Sequence, residues 1–364
     1  CKRIIHFEIG DPNFNPPQPI IEETKWALDE GYTHYCPSMG LPELREAICN
    51  YTEKDLGFRP NIDQVLICPA NAAIDFVFRC ICNSEEDNRI ILPNPGFPTY
   101  LASAKYNNFS YLSYNSILSL QQKVNSSAKK RSNHLKLMVI NSPNNPTGEV
   151  LLEREIKDIY NLATENDLYI LSDEVYSKII YEGDHYSPGV YDQCKERVII
   201  LQSFSKLFSM SGFRLGYAIG PKTLIRKMGL LLETIISCVP PFIQKVGAFI
   251  LNNFDSFQRE EIDIRNRWLK ERRNLLIEGL NKIPGFKCTP PQGAFYIWCN
   301  IEGTIYNDLE LADLLLEKAG VALLPGRYFG NNGKGYLRLC FASVSLEEIE
   351  EALEKIERNI VWKY

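Results

Sequence analysis

From residue 65 onward the chain repeats one unit. A short run of apolar, largely β-branched residues gives way to a segment with helical spacing, then to another apolar run. The runs at 65–68, 89–92, 137–140, 168–171, 198–201 and 215–219 read as strands, with helices over 72–81 and 153–165 and the start of one at 100–105. Strands that are apolar throughout are buried on both faces, and parallel strands need crossovers long enough to hold a helix. The pattern predicts an α/β fold, a mostly parallel, doubly wound sheet covered by helices. Ligands gather at the carboxyl ends of the strands in such sheets, so the residues following each run are where chemistry is sought.

The flanking segments read differently. Residues 4–10 suit a strand, 13–19 a Pro-rich loop, and 20–30 and 42–56 helices. A long charged stretch at 257–281 carries Ile262, Trp268, Leu275, Leu276 and Leu280 at helical intervals, as one amphipathic helix would. After it, strands near 296–299, 321–324 and 336–340 and helices near 308–318 and 346–358 make a smaller α+β unit. The expected division is a large domain over 32–250 and a small domain from 1–31 and 251–364, with the bridging helix near 257–281. The Ser/Asn/Lys-rich stretch 116–136 is expected to be an exposed, mobile connection with at most a short helix.

Composition narrows the function classes. With 364 residues, 45% of them hydrophobic, the chain can bury a large core in one large or two unequal domains. A formal net charge of −5 gives no support to nucleic-acid or anionic-membrane binding. No apolar run approaches the roughly 20 residues of a membrane span. The eleven cysteines include no C-x-x-C pair, and the four His are not placed near Cys80 and Cys82 as ligands, so no metal site is expected. Cys49, Cys68 and Cys340 sit in apolar runs as reduced core thiols do, which fits a cytoplasmic location. The chain opens at Cys1 and runs almost directly into Ile4-Ile5, as a start trimmed of a leading segment would.

Ser203-Phe204-Ser205-Lys206 follows the 198–201 run, and Gly212-Phe213-Arg214-Leu215-Gly216 comes shortly after. Lys206 thus stands just past a strand end, among hydroxyls and near an Arg. A lysine amine condenses with an aldehyde to a Schiff base, and a guanidinium grips a phosphate in bidentate fashion. An aldehyde and a phosphate on one small molecule describe pyridoxal phosphate. By itself the stretch would also suit a polar loop with a solvated Lys.

Other strand ends suit the same molecule. Asp173-Glu174-Val175-Tyr176 follows the 168–171 run. A carboxylate at Asp173 would keep the pyridine nitrogen protonated, and Tyr176 can bond the ring's phenolic oxygen. An Asp capping the next segment is the plainer alternative. Asn141-Ser142-Pro143-Asn144-Asn145-Pro146-Thr147-Gly148 follows the 137–140 run. Its two X-Pro bonds allow cis geometry, and the Asn145 amide can donate to that same oxygen. Ala70-Asn71-Ala72 opens a helix whose first N–H groups form an anion site. Arg338 lies in the otherwise apolar strand Tyr336-Leu337-Arg338-Leu339-Cys340 and is costly there unless it meets an anion, in a substrate or in a structural ion pair.

Taken in order, these motifs resemble those of the class I and II aminotransferases, which are fold type I pyridoxal phosphate enzymes. The resemblance runs from Gly10 to the last helix. Ala70 stands where the family often has Gly, and Ser142 where many members carry Asn. The resemblance implies a large domain carrying the cofactor on its sheet, a smaller α+β domain, and a homodimer. It implies Phe97 as the aromatic on the cofactor ring, where a lone loop Phe would otherwise be a packing residue. It also implies Tyr35 reaching the partner's cofactor phosphate, Gly10 beside the substrate carboxylate, Asn145 near it, and Arg338 as its clamp. Phe14, Tyr35 and Phe329 are expected around the substrate side chain. The activity implied is amino-group transfer from an L-amino acid to a 2-oxo acid, with Lys206 as the base. The same motifs would serve elimination, cyclisation or oxidation. A non-catalytic sensor on this fold is the other alternative, though the DNA-binding domain such proteins normally carry is not visible.

Overall fold

The computed structural model describes residues 3–82, 88–128 and 134–360. Its strands are β1 (Ile5–His6), β2 (Val65–Ile67), β3 (Arg89–Pro93), β4 (Ser110–Tyr114), β5 (Leu135–Asn141), β6 (Tyr169–Asp173), β7 (Val198–Ser203), β8 (Gly216–Ile219), β9 (Lys287–Cys288), β10 (Tyr296–Asn300), β11 (Val321–Ala322), β12 (Leu324–Pro325) and β13 (Tyr336–Cys340). Seven of them form one sheet in the order β2-β8-β7-β6-β5-β3-β4. From β7 to β4 every pair is parallel, whereas β8 runs antiparallel to both its neighbours.

The alternation of side chains along these strands feeds two separate cores. Along β5, Met138 and Ile140 enter one core while Leu137 and Val139 enter the other. On β7, Ile200 and Ile199 divide in the same way. Helices Pro42–Leu56 and Pro241–Asn252 cover one face, and Ala70–Ile81 and Lys222–Ile236 the other. Covering both faces leaves the strand ends as the accessible edge.

A third core belongs to the smaller unit, where an antiparallel sheet β12-β13-β10-β9 packs under helix Leu346–Asn359 and the long helix. That long helix starts at Phe254, passes through a π turn at Gln258–Ile262 and continues over Asp263–Lys282. Leu269, Leu276 and Leu280 are buried along it, but Trp268 is half exposed, with its ring 5.6 Å from that of Phe14.

Two expectations need correction. The polar stretch after residue 116 holds the twelve-residue helix Ile117–Ala128, preceded by strand β4. Leu120 and Val124, one turn apart, are fully buried and anchor it, with Ser127 buried beside them, so its polar composition hides a buried stripe. Residues 129–133 of that stretch lie outside the described residues, as does Cys1. The first strand is also far shorter than 4–10. Phe7 bonds both to Ala322, beside β1, and to Cys340 of β13, after which the chain leaves the ladder. Among the described residues no helix is long and apolar enough to cross a membrane, and no cluster of His, Cys, Asp and Glu could hold a metal.

Candidate active site

A cavity of about 250 Å³ opens at the carboxyl ends of β5, β6 and β7. Asp173, the last residue of β6, is buried in its wall. Tyr100 donates a 2.5 Å hydrogen bond to Asp173 Oδ2, and the Val175 N–H reaches Oδ1 at 3.4 Å. Loss of water pushes the Asp173 carboxyl up to about 6, although both hydrogen bonds pull the other way. No Lys or Arg pairs with it among the described residues. A buried carboxylate in this state is best served by a cation arriving from outside.

A second group of donors lines the same cavity. Helix Ala70–Ile81 begins there, and the first-turn N–H groups of Ala70, Asn71 and Ala72 have no partner within the helix. Ser203 and Ser205 flank them from the end of β7, and Arg214 joins from a left-handed residue at φ 58°. Gly216 is what lets these strands approach: a Cβ there would lie 2.7 Å from the Gln202 carbonyl and 3.3 Å from the Ala70 nitrogen. The set contains hydroxyls, amides and one guanidinium, with no carboxylate. It fits a phosphate.

At the opposite wall the small unit contributes. Lys206 Nζ donates to the Gly10 carbonyl at 2.6 Å. Burial lowers the Lys206 pKa, with Arg214 and Arg338 adding to the effect and Asp11 opposing it. Arg338, on β13, is buried with no carboxylate partner among the described residues. It donates to the Glu8 carbonyl at 2.6 Å and to Asn145 Oδ1 at 3.3 Å, while its Nε has no partner. Its guanidinium sits 4.4 Å from the Tyr296 ring centre and 5.0 Å from that of Phe329. Asn145 is held in turn by its own N–H to Asn141 Oδ1, in a turn where both X-Pro bonds are cis. The Tyr176 and Tyr296 hydroxyls meet at 2.8 Å, and burial drives both phenols above the ordinary range. Gly10 leaves room here for the Tyr296 hydroxyl, which a Cβ would approach to 2.6 Å.

One cavity thus brings together Gly10, Ala70, Asn71, Phe97, Asn145, Asp173 and Tyr176 with Ser203, Ser205, Lys206, Arg214 and Arg338. Four expected residues do not line it, Phe329 among them, which lies behind Arg338. Ala72 packs its side chain on the core beneath, leaving only its N–H for the site. Phe14 lies between Trp268 and the Arg272 guanidinium, 4.7 Å from its ring centre, against the long helix. Tyr35 is 87% exposed. Tyr100 and Tyr296 are the residues sequence reasoning missed. Tyr100 follows Phe97, the cap residue before helix Pro98–Tyr106, by three positions, and their rings meet at 5.7 Å, a spacing that gave a usable signal.

A lysine at a strand end, a buried carboxylate and an anion cradle, joined on a doubly wound sheet, define a pyridoxal phosphate enzyme of fold type I. A profile of the aminotransferase class I and II family matches residues 2–356, and the chain belongs to that family. An aspartate aminotransferase of Pyrococcus horikoshii is 36% identical over 98% of this chain and 90% of its own length. An aromatic-amino-acid aminotransferase of Thermococcus litoralis is 34% identical over 98% of this chain and 91% of its own. The solved aromatic aminotransferase of Pyrococcus horikoshii superposes with a TM-score of 0.90 at 33% identity, covering 98% of this chain and 95% of that one. The protein is an aminotransferase whose cofactor is pyridoxal phosphate and whose substrates are an amino acid and a 2-oxo acid.

Proposed function

We propose that the amino donor is an L-amino acid with an aromatic or other uncharged side chain, and that the enzyme works as a homodimer in the cytoplasm. The observation that carries the substrate reading is the charge inventory of the cavity. Lys206, Arg214 and Arg338 are its only lining cations among the described residues, and each already has a task. Phe97, Tyr176 and Tyr296 supply the remaining bulk, with Phe329 against Arg338. An acidic side chain would find no fourth cation there. The large domain is taken as 32–250, with the rest forming the small domain.

When bound, pyridoxal phosphate supplies an aldehyde for amines and a ring that accepts electrons from the α-carbon. Asp173 accepts the ring N–H and is thereby kept ionised. Asn145 and Tyr176 donate to the phenolic oxygen, and Phe97 covers the ring. The phosphate is held by the Ala70, Asn71 and Ala72 N–H groups, by Ser203, Ser205 and Arg214, and by Tyr35 of a second copy. Arg338 takes the substrate α-carboxylate through its unpartnered edge. Lys206, its proton affinity lowered by burial, would take the substrate's α-proton at Nζ, which the Gly10 carbonyl holds in place.

The test is a half-reaction. Enzyme loaded with pyridoxal phosphate is mixed with single amino acids and no 2-oxo acid. Aromatic donors should bleach the visible band and aspartate should do so far more weakly; added 2-oxoglutarate or pyruvate should restore it. Many turnovers without any 2-oxo acid, releasing ammonia or peroxide, would show that the chemistry is elimination or oxidation instead. Sedimentation at low concentration checks the dimer.

A further inference from the structure

The described chain holds two pairs of cysteines in contact, and they differ in access. Cys288 and Cys299 face each other across β9 and β10 inside the small core. They are 6% and 0% exposed. Cys36 and Cys238 are also close neighbours, but both are partly exposed. Cys36 Sγ lies 3.7 Å from the carbonyl of Val239, the residue after Cys238. One amide ties the two segments together: Gln244 Nε2 donates to Cys36 Sγ at 3.2 Å and to the Val239 carbonyl at 2.7 Å. Cys238 itself sits in the turn that ends helix Lys222–Ile236, directly after Ser237 at φ 63°.

We propose that Cys36 and Cys238 are a redox-modification site that closes to a disulfide when met by a low-molecular-weight disulfide such as oxidised glutathione. The Cys238 thiolate attacks one glutathione sulfur and releases a glutathione thiolate. Cys36 then gives up its proton, attacks the Cys238 sulfur of the mixed disulfide and releases the second glutathione. Two protein thiols are oxidised, one glutathione disulfide is reduced, and the two protons pass to the departing thiolates. Burial raises the Cys36 thiol to about 11, which keeps it from making the first attack. Cys288 and Cys299 have the contact without the access and stay reduced. The new bond would fasten the backbone beside Tyr35 to the turn at Ser237. Its consequence for the cofactor phosphate rests on the reading of Tyr35 given above; the disulfide itself does not.

The experiment incubates the loaded enzyme with oxidised glutathione, alkylates the remaining thiols and maps peptides by mass. The expected product is one linked pair joining Cys36 and Cys238, two hydrogens lighter, reversed by dithiothreitol and absent from Cys36→Ser and Cys238→Ser. A Cys36–Cys36 link between chains, a Cys288–Cys299 link in place of the expected one, or a glutathione adduct on Cys238 that never resolves overturns the proposal. In parallel, pyridoxal phosphate affinity is titrated by absorbance in the oxidised and reduced enzyme. A pre-ordered Tyr35 should tighten it severalfold in the wild type and not in Cys36→Ser. A disulfide that forms without any change in affinity would leave the thiol chemistry standing and sink the Tyr35 reading.

Discussion

The two walls of the cavity are built by different means. The cofactor wall comes from one sheet, and its side chains arrive already answered: Asp173 has Tyr100 and the Val175 N–H, and Ser203 accepts from the Ser205 N–H. The substrate wall is assembled from residues 8–10, β10 and β13, and it holds its charges with carbonyls and ring faces. Arg338 there keeps a buried N–H without a partner, and Lys206 bonds only a backbone oxygen. A satisfied wall is rigid in the way a permanent ligand needs. An unsatisfied wall costs stability that a passing substrate returns on each visit.

Cutting the link between the walls should have the largest effect, since Lys206 reaches from the end of β7 to the Gly10 carbonyl. Lys206→Ala is expected to lower turnover by about 10³-fold or more, because the proton-moving group is gone. The visible band of the loaded enzyme should go with it, while circular dichroism stays unchanged. A variant that keeps its band would remove Lys206 from the centre of the account.

Arg338→Gln probes the substrate wall without touching the cofactor. Loss of a buried charge-assisted pair should weaken donor binding by about 10²-fold, read as a rise in KM. Pyridoxal phosphate affinity should hold within a factor of two or so. Equal losses in both would mean that the two walls are not separable.

The cofactor wall can be sharpened through pH. The folded Asp173 carboxyl is raised to about 6 from the ordinary 3.8, so folding favours its protonated form. The penalty for burying its charge is absent at low pH and develops as pH climbs from about 4 through about 6. Cofactor-free enzyme should therefore lose on the order of 2–3 kcal/mol across that window from this group. Asp173→Asn should flatten that share of the slope in denaturant titrations. An unchanged slope would place the titration elsewhere.

Tyr100→Phe should have the smallest effect. It removes one hydrogen bond to the carboxylate and raises the Asp173 pKa further, loosening cofactor binding by about tenfold. Isothermal titration of the cofactor-free enzyme would measure it, and tighter binding would contradict the role given to the bond.

The walls also differ in how legible they were. Strand-end motifs such as Asp173-Glu174-Val175-Tyr176 and Ser203-Phe204-Ser205-Lys206 lie close together in sequence, and a parallel sheet brings consecutive strand ends to one edge. Arg338 was readable for another reason, as a charge in an apolar strand. What stayed hidden depended on partners far away in sequence. Tyr296 looks like one more strand aromatic until Gly10 and Tyr176 are beside it. Phe14 looked like a pocket residue because a loop gives no hint of its neighbours, and the structure spends it on Trp268 and Arg272. Helix Ile117–Ala128 went unread because two buried apolar residues, Leu120 and Val124, are too few to outweigh a polar composition.

The hydrogen bond from Arg338 to the Glu8 carbonyl spans 330 positions of chain. A ribosome adds roughly 5–20 residues per second, so about 15–65 seconds separate the appearance of its two ends. Every group of the cofactor wall has emerged once residue 219 is made. For the rest of synthesis the segment around Gly10 waits without β11 and β13, its carbonyls facing water. A nascent chain of this enzyme is thus expected to take up pyridoxal phosphate well before it can grip an amino acid.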